Sequence, residues 1–159
     1  MLIYIVRHGL TPWNHLHKAQ GSADIPLAQE GIDLARRTGE ALMNVKFDIC
    51  FTSPLIRARQ TARLVLGGRD VPTIPDKRIQ EINFGALEGV ICFNDAHEYL
   101  NPEMEKFFTD PWKFERPAHG ENIADILERT RDFWEEKIHD ASLQDKTILI
   151  ASHGCAVRA

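Results

Sequence analysis

Two apolar runs in this chain each end on a histidine followed by glycine. Leu2-Ile3-Tyr4-Ile5-Val6 leads into Arg7-His8-Gly9, and Ile148-Leu149-Ile150-Ala151 leads into Ser152-His153-Gly154. Runs of this length and continuity read as strands covered on both faces, the pattern of a parallel sheet. Asp48 to Thr52 supplies a third. Between them, Gly31 to Met43 carries Ile32, Leu34, Ala35, Thr38, Ala41 and Leu42 at helical spacing, and Pro54 to Leu66 does the same with Leu55, Ala58, Ala62 and Leu66. Strands alternating with helices imply βαβ units and an α/β fold with a mostly parallel sheet. Open sheets of this kind build their sites at the C-terminal ends of strands, where both histidines fall, and adjacent parallel strands would bring the two imidazoles together.

With 159 residues, 43% hydrophobic and 26% charged, the chain is long enough for one substantial core, and residues 1–159 read as one domain. A net charge of -4 offers no global attraction to nucleic acid or to anionic membranes, so affinity for a phosphorylated ligand must come from local cations. Cys50, Cys92 and Cys155 are odd in number and lack paired or metal-ligand spacing, which favours a reducing compartment over a disulfide framework or a zinc site. With neither a signal peptide nor an apolar stretch of membrane-spanning length, the expected location is the cytoplasm. The oligomeric state stays open, a homodimer included. A long helix is expected from an N-cap at Asn122, with Asp125 in its first turn. Ile91 to Ala118, rich in proline and aromatics without clean periodicity, reads as a helical lid or insertion, or as a helix packed on the core.

Four segments carry the chemistry. Arg7, His8, Gly9, Thr11 and Asn14 supply a cation, a nucleophile, a flexible backbone position, a hydroxyl and an amide, the parts of an anion cradle. Gln20 and Gly21 follow as substrate contacts, Gly21 through its backbone amide. In Ser53-Pro54-Leu55-Ile56-Arg57, Ser53 is the expected N-cap, and Arg57 points from the first turns toward the site. Arg59, about 200° further around the helix, belongs to the surface. In Glu81-Ile82-Asn83-Phe84-Gly85-Ala86-Leu87-Glu88-Gly89, the apolar neighbours of Glu81 would desolvate it and keep a proton available for a leaving alkoxide, while Glu88 holds the loop in shape. The two roles could be exchanged. A protonated His153 would donate to the transferring phosphoryl oxygens.

Together these motifs resemble the histidine phosphatase superfamily, the phosphoglycerate mutase-like proteins, over essentially the whole chain. The resemblance implies a three-layer α/β/α sandwich. It further implies that His8 is transiently phosphorylated, that Arg7, Arg57, His153 and Asn14 hold the phosphate, that Glu81 is the proton donor, and that neither a metal ion nor another cofactor takes part. The expected activity is metal-independent hydrolysis of a small phosphorylated metabolite, as in the small bacterial phosphatases of the alpha-ribazole phosphatase type. A phosphoglycerate mutase is the alternative enzyme, and a non-catalytic module binding a phospho-ligand or a protein the alternative of another class. The chain departs from the family at Leu10, where an acidic or polar residue is common, and at Ala28, where a capping threonine is common. It also departs at Ala118-His119-Gly120-Glu121-Asn122, where Glu121 is kept and His119 adds an exposed loop histidine. Family members continue beyond the second histidine motif, so the C-terminal edge of the sheet is expected to be missing.

Overall fold

The computed structural model describes residues 1–159. Its sheet has four strands, β1 (Leu2–Arg7), β2 (Ile49–Thr52), β3 (Thr73–Pro75) and β4 (Thr147–Ser152), all parallel and ordered β1-β4-β2-β3. The chain begins at one edge, crosses to the far side, and returns at its end to the middle. α1 (Pro12–His15) is a single turn after β1. α2 (Gln29–Ala41) and α3 (Ile56–Leu66) cover one face of the sheet, α4 (Pro102–Thr109) lies in the segment between Ile91 and Ala118, and α5 (Ile123–His139) covers the other face. The result is the α/β/α sandwich that the sequence implied. No helix is long and apolar enough to cross a membrane.

The burial pattern explains each layer. Phe47, Cys50, Ala62, Val65, Leu149 and Ala151 form the core between the sheet and α3, with Tyr4 and Val6 against it. On the opposite face Phe133 of α5 meets Phe51, Ile148 and Ile150, with the Phe51 and Phe133 rings edge-on at 5.7 Å. A third cluster joins Ile82, Phe84, Met104, Phe114 and Ile126, and packs the segment between Ile91 and Ala118 onto α5. That segment is built around α4, whose N-cap Asn101 accepts from the backbone N–H groups of Glu103 and Met104. α5 opens as expected, with Asn122 and Asp125 exchanging capping hydrogen bonds. Ala28 caps α2 without a side-chain bond, which costs about 1 kcal/mol relative to a threonine cap.

Two expectations are corrected, and one strand is added. β1 is not covered on both faces: as the edge strand it leaves Ile5 44% and Leu2 55% exposed, because α5 covers β4 and β2 instead. β3 escaped the sequence reading because all its residues are exposed and one is Pro75, which an edge strand tolerates. Ser53 is not the N-cap of α3; Leu55 is, and Ser53 Oγ instead accepts from the Leu55 N–H at 3.3 Å.

The strand register fixes the site. Arg7 pairs with Ser152, and the His8 N–H donates to the Ser152 carbonyl at 3.0 Å, so His8 and His153 leave adjacent strands side by side. The loop after β1 is then clamped against α2. A Cβ on Gly9 would lie 2.6 Å from the Gly31 carbonyl oxygen, and one on Gly31 would lie 2.2 Å from that of Leu10, so only glycine permits this approach.

Candidate active site

At the C-terminal ends of the strands a cavity of about 520 Å³ is walled by Arg7, His8, Asn14, Gln20, Gly21, Arg57 and Glu81, among others. His153 is expected at this wall but lies beneath it, fully buried, its ring centroid 5.1 Å from that of His8.

His8 is held in one tautomer. Its Nδ1 is 2.7 Å from the carbonyl oxygen of Gly9, which can only accept, so Nδ1 carries the hydrogen. Nε2 therefore presents a lone pair, to which the Nε–H of Arg57 donates at 3.3 Å. Burial, opposed by the Gly9 hydrogen bond and reinforced by the charges of Arg57 and Arg7, lowers the His8 pKa to about 4. At neutral pH the imidazole is uncharged, with the Nε2 lone pair facing the cavity side where Arg57 lies.

Arg57, in the first turn of α3, is fully buried. Two further N–H groups donate to the carbonyls of Ala23 and Gly21, each at 2.7 Å. Three of the five guanidinium N–H groups are thereby used, and two remain for an anion. Burial lowers its pKa to about 10, with Glu81, Asp24 and Glu88 opposing, so it stays charged. None of the ion pairs in the chain involves Arg7 or Arg57. Two guanidinium charges without a carboxylate partner in contact make this end of the cavity an anion site. Arg59 is exposed, as its place on the helix predicts.

The loop between β1 and α2 adds neutral donors. Thr11, fully buried, gives its N–H to Asn14 Oδ1 at 2.9 Å, and its hydroxyl lies 3.0 Å from that oxygen and 2.9 Å from Gln20 Oε1. Both amides are held by their oxygens, which leaves their NH₂ groups for an acceptor. Thr11 thus serves as the positioner of Asn14 and Gln20, a role its sequence position did not reveal. Glu88 fixes the same loop by accepting from the N–H and hydroxyl of Ser22, each at 2.6 Å, the shaping role expected of it. Gly21 has φ +48°, and a Cβ there would meet Glu88 Oε1 at 2.5 Å.

Glu81 sits in a polar cradle, whereas the sequence suggested an apolar one. Ile82 and Phe84 turn into the core below, and the Glu81 carboxylate accepts from the N–H groups of Ile82, Cys155 and Ala156 at 3.1 to 3.2 Å. Its loop is held by Arg129 of α5, which donates to the carbonyls of Arg78, Gln80 and Glu81 and to both carboxylate oxygens of Glu121. Glu121 in turn accepts from the Asn83 N–H at 2.8 Å. Arg129 carries no local sequence signal, because its partners are distant along the chain. On the proton-donor role that the family resemblance implies for Glu81, Arg129→Met is expected to lower kcat toward alkyl phosphates by about 10- to 100-fold with KM little changed, since misplacing an acid by an ångström costs that order. Arg129→Lys should recover part, and aryl phosphates should be nearly insensitive. A uniform loss across leaving groups would contradict positioning of Glu81.

His153 is neutral rather than protonated. Burial foremost, then Arg57 and His8, drives its pKa far below the ordinary value. Its Nε2 is 2.7 Å from Ser53 Oγ, and its Nδ1 is buried without any partner. When the Ser53 hydroxyl donates to Nε2, Nδ1 carries a hydrogen to offer. An uncompensated buried donor is costly until an acceptor arrives. His119 is exposed and outside the cavity wall.

The depressed histidines carry a stability consequence. An unfolded histidine titrates near 6.5, so between pH 6.5 and 4 the unfolded chain binds a proton that folded His8 refuses. His8's contribution is complete above pH 6.5 and is lost as the pH falls toward 4, on the order of 2 kcal/mol between pH 7 and pH 5. Chemical denaturation should show a lower midpoint at pH 5 than at pH 7, with a smaller difference in His8→Ala. Equal midpoints at the two pH values would count against a neutral, buried His8.

Comparison with known proteins places this geometry in a family. Residues 3–159 match the model of the histidine phosphatase superfamily, branch 1. A 2,3-bisphosphoglycerate-dependent phosphoglycerate mutase 2 of Gloeobacter violaceus is 33% identical over 164 residues, covering 99% of this chain and 73% of that protein. The 2,3-bisphosphoglycerate-dependent phosphoglycerate mutase of Enterococcus faecalis is also 33% identical, over 96% of this chain and 79% of its own. Among solved structures, Bacillus stearothermophilus YhfR superposes with TM-score 0.85 at 31% identity, covering 98% of this chain and 75% of that one. A putative alpha-ribazole-5'-P phosphatase from Escherichia coli gives 0.81 at 28% identity, with coverages of 98% and 74%. Enzymes named as mutases and as phosphatases thus share this scaffold, and the chain belongs to the histidine phosphatase superfamily.

Proposed function

We propose that the chain is a metal-independent phosphomonoesterase acting on a small phosphorylated metabolite through a phosphohistidine on His8. The observation that carries this reading is the His8 tautomer: Nδ1–H is committed to Gly9, and the Nε2 lone pair stands beside Arg57. The ester phosphate sits between Arg7, Arg57 and the amides of Asn14 and Gln20, with Gly21 beside it and His153 Nδ1–H reaching a phosphoryl oxygen. These donors stabilise the charge that a metal ion would otherwise neutralise. Nε2 forms a bond to phosphorus as the P–O bond to the leaving group breaks, and protonated Glu81 gives its proton to the departing alkoxide. Water then attacks the phosphohistidine, Glu81 takes up its proton, the N–P bond breaks, and inorganic phosphate leaves with His8 restored.

Glu81→Gln should lower kcat/KM for alkyl phosphates by about 10²- to 10⁴-fold and affect activated aryl phosphates far less. An equal loss for both would remove Glu81 from the acid role. The mutase reading is favoured by the names of the relatives and by Lys18 and Arg158 on the cavity wall, which could take a carboxylate. A panel of phosphorylated metabolites that includes 3-phosphoglycerate, followed for both phosphate release and 2-phosphoglycerate, separates the two. Net phosphate supports hydrolysis; isomer without phosphate supports the mutase. Silence in both assays with retained phosphate binding supports a non-catalytic module.

A further inference from the structure

The cavity is chemically divided. Its hydrogen-bonding groups come from the strand ends, the loops after them and the first turn of α3, whereas the residues that the segment between Ile91 and Ala118 and helix α5 contribute to its wall are apolar but for the Cys92 thiol and the Trp112 indole N–H. Phe93, Phe107, Phe108 and Trp112 are the aromatic ones. Phe107 packs edge-on to Phe84 at 4.9 Å and to Phe108 at 5.1 Å, so the rings form a braced surface. Phe108 is nevertheless 49% and Trp112 74% exposed. Of the cationic side chains away from His8, the Lys18 ammonium stands over the Trp13 ring at 5.5 Å; the His17 ring lies 4.6 Å from that of Phe93 at a 38° tilt, with its Nε2 3.5 Å from Asp95. Arg158, the other cation on the wall, is exposed.

Resting on the phosphatase reading, we propose that the substrate is the phosphate monoester of an apolar alcohol, alkyl or aryl, whose carbon skeleton lies against the Phe93, Phe107, Phe108 and Trp112 surface. A leaving group rich in hydroxyls or carboxylates would lose water against those rings and find a single donor there, the Trp112 indole N–H, at a cost of the kind any unpaired buried polar group incurs. An apolar skeleton loses nothing and covers the open rings. The reacting atoms and the proton path are those of the hydrolysis above.

The test is a series of n-alkyl phosphates from ethyl to octyl, whose leaving groups from propyl onward differ little in basicity, so that kcat/KM reads the pocket. We expect kcat/KM to rise up to about 4-fold per methylene until the cavity is filled. Hexyl phosphate should exceed 3-phosphoglycerate, and Phe108→Ala and Trp112→Ala should flatten the slope. The matching n-alkylphosphonates, which cannot be hydrolysed, are titrated against the wild-type protein by calorimetry, with dissociation constants expected to fall by the same factor per methylene. A flat phosphonate series overturns the apolar-substrate assignment whether or not esters turn over, as does a preference for 3-phosphoglycerate. A rising phosphonate series with no phosphate released from any ester supports the pocket and overturns the phosphatase reading.

Discussion

His8→Ala should release phosphate from every ester on the order of 10⁴-fold more slowly than wild type, or not detectably, while the fold and phosphate binding persist. The expectation rests on the separation of roles around His8. Its Nδ1–H bonds only to Gly9, a carbonyl within the same loop, and its Nε2 faces Arg57 without supporting any other element. Removing the ring therefore takes away the proposed nucleophile and leaves Arg57 bound to the Gly21 and Ala23 carbonyls. Losing a nucleophile that works with a set of positioned groups costs about as much as losing the whole set, because the others have no reaction left to assist. The variant should still bind inorganic phosphate or vanadate through the arginines, and a retained affinity separates loss of chemistry from loss of the site. Wild-type turnover in His8→Ala would remove it from the mechanism.

Arg57→Met should lower kcat/KM by about 10³-fold, the scale of removing a preorganised cationic donor from a phosphoryl-transfer site. It should also destabilise by about 1–3 kcal/mol, since the buried Gly21 carbonyl loses its donor, whereas the Ala23 carbonyl keeps the Ile25 N–H. Arg57→Lys keeps the charge but not the fork, and should recover stability more than activity, because one ammonium cannot serve two carbonyls, His8 Nε2 and an anion in those directions. Activity equal to wild type in Arg57→Lys would show that charge alone suffices and that the guanidinium geometry is incidental. Unfolding midpoints measured beside the kinetics distinguish the two losses.

Much of this arrangement is legible in the sequence, because its parts are local. Arg7, His8 and Gly9 follow a strand directly, and so do Ser152, His153 and Gly154, so locating the strands located the histidines. The helical offset between Arg57 and Arg59 predicted which one is buried. What could not be read are the contacts that join distant segments. Ser53 looked like an N-cap because serine before proline and a helix usually is one; its partner His153 lies 100 residues away. Arg129 sits on a helix whose charged face read as solvated, yet it reaches three carbonyls about 50 residues earlier. The environment of Glu81 is hidden from the sequence for a related reason. Its neighbours in sequence, Ile82 and Phe84, face the core, whereas its neighbours in space are the backbone N–H groups of Cys155 and Ala156. β3 carries no pattern because exposure on an edge imposes none.

The central claim is that the phosphoryl group passes through His8, and trapping that intermediate tests it most directly. Wild-type protein is mixed with a ³²P-labelled monoester, quenched in detergent within milliseconds, and the label is followed through acid and alkali. The account predicts label on the peptide containing His8, lost in acid and stable in alkali as an N–P bond is, and absent from His8→Ala. Label on another residue, or phosphate released at full rate with no protein-bound label at any quench time, would contradict it.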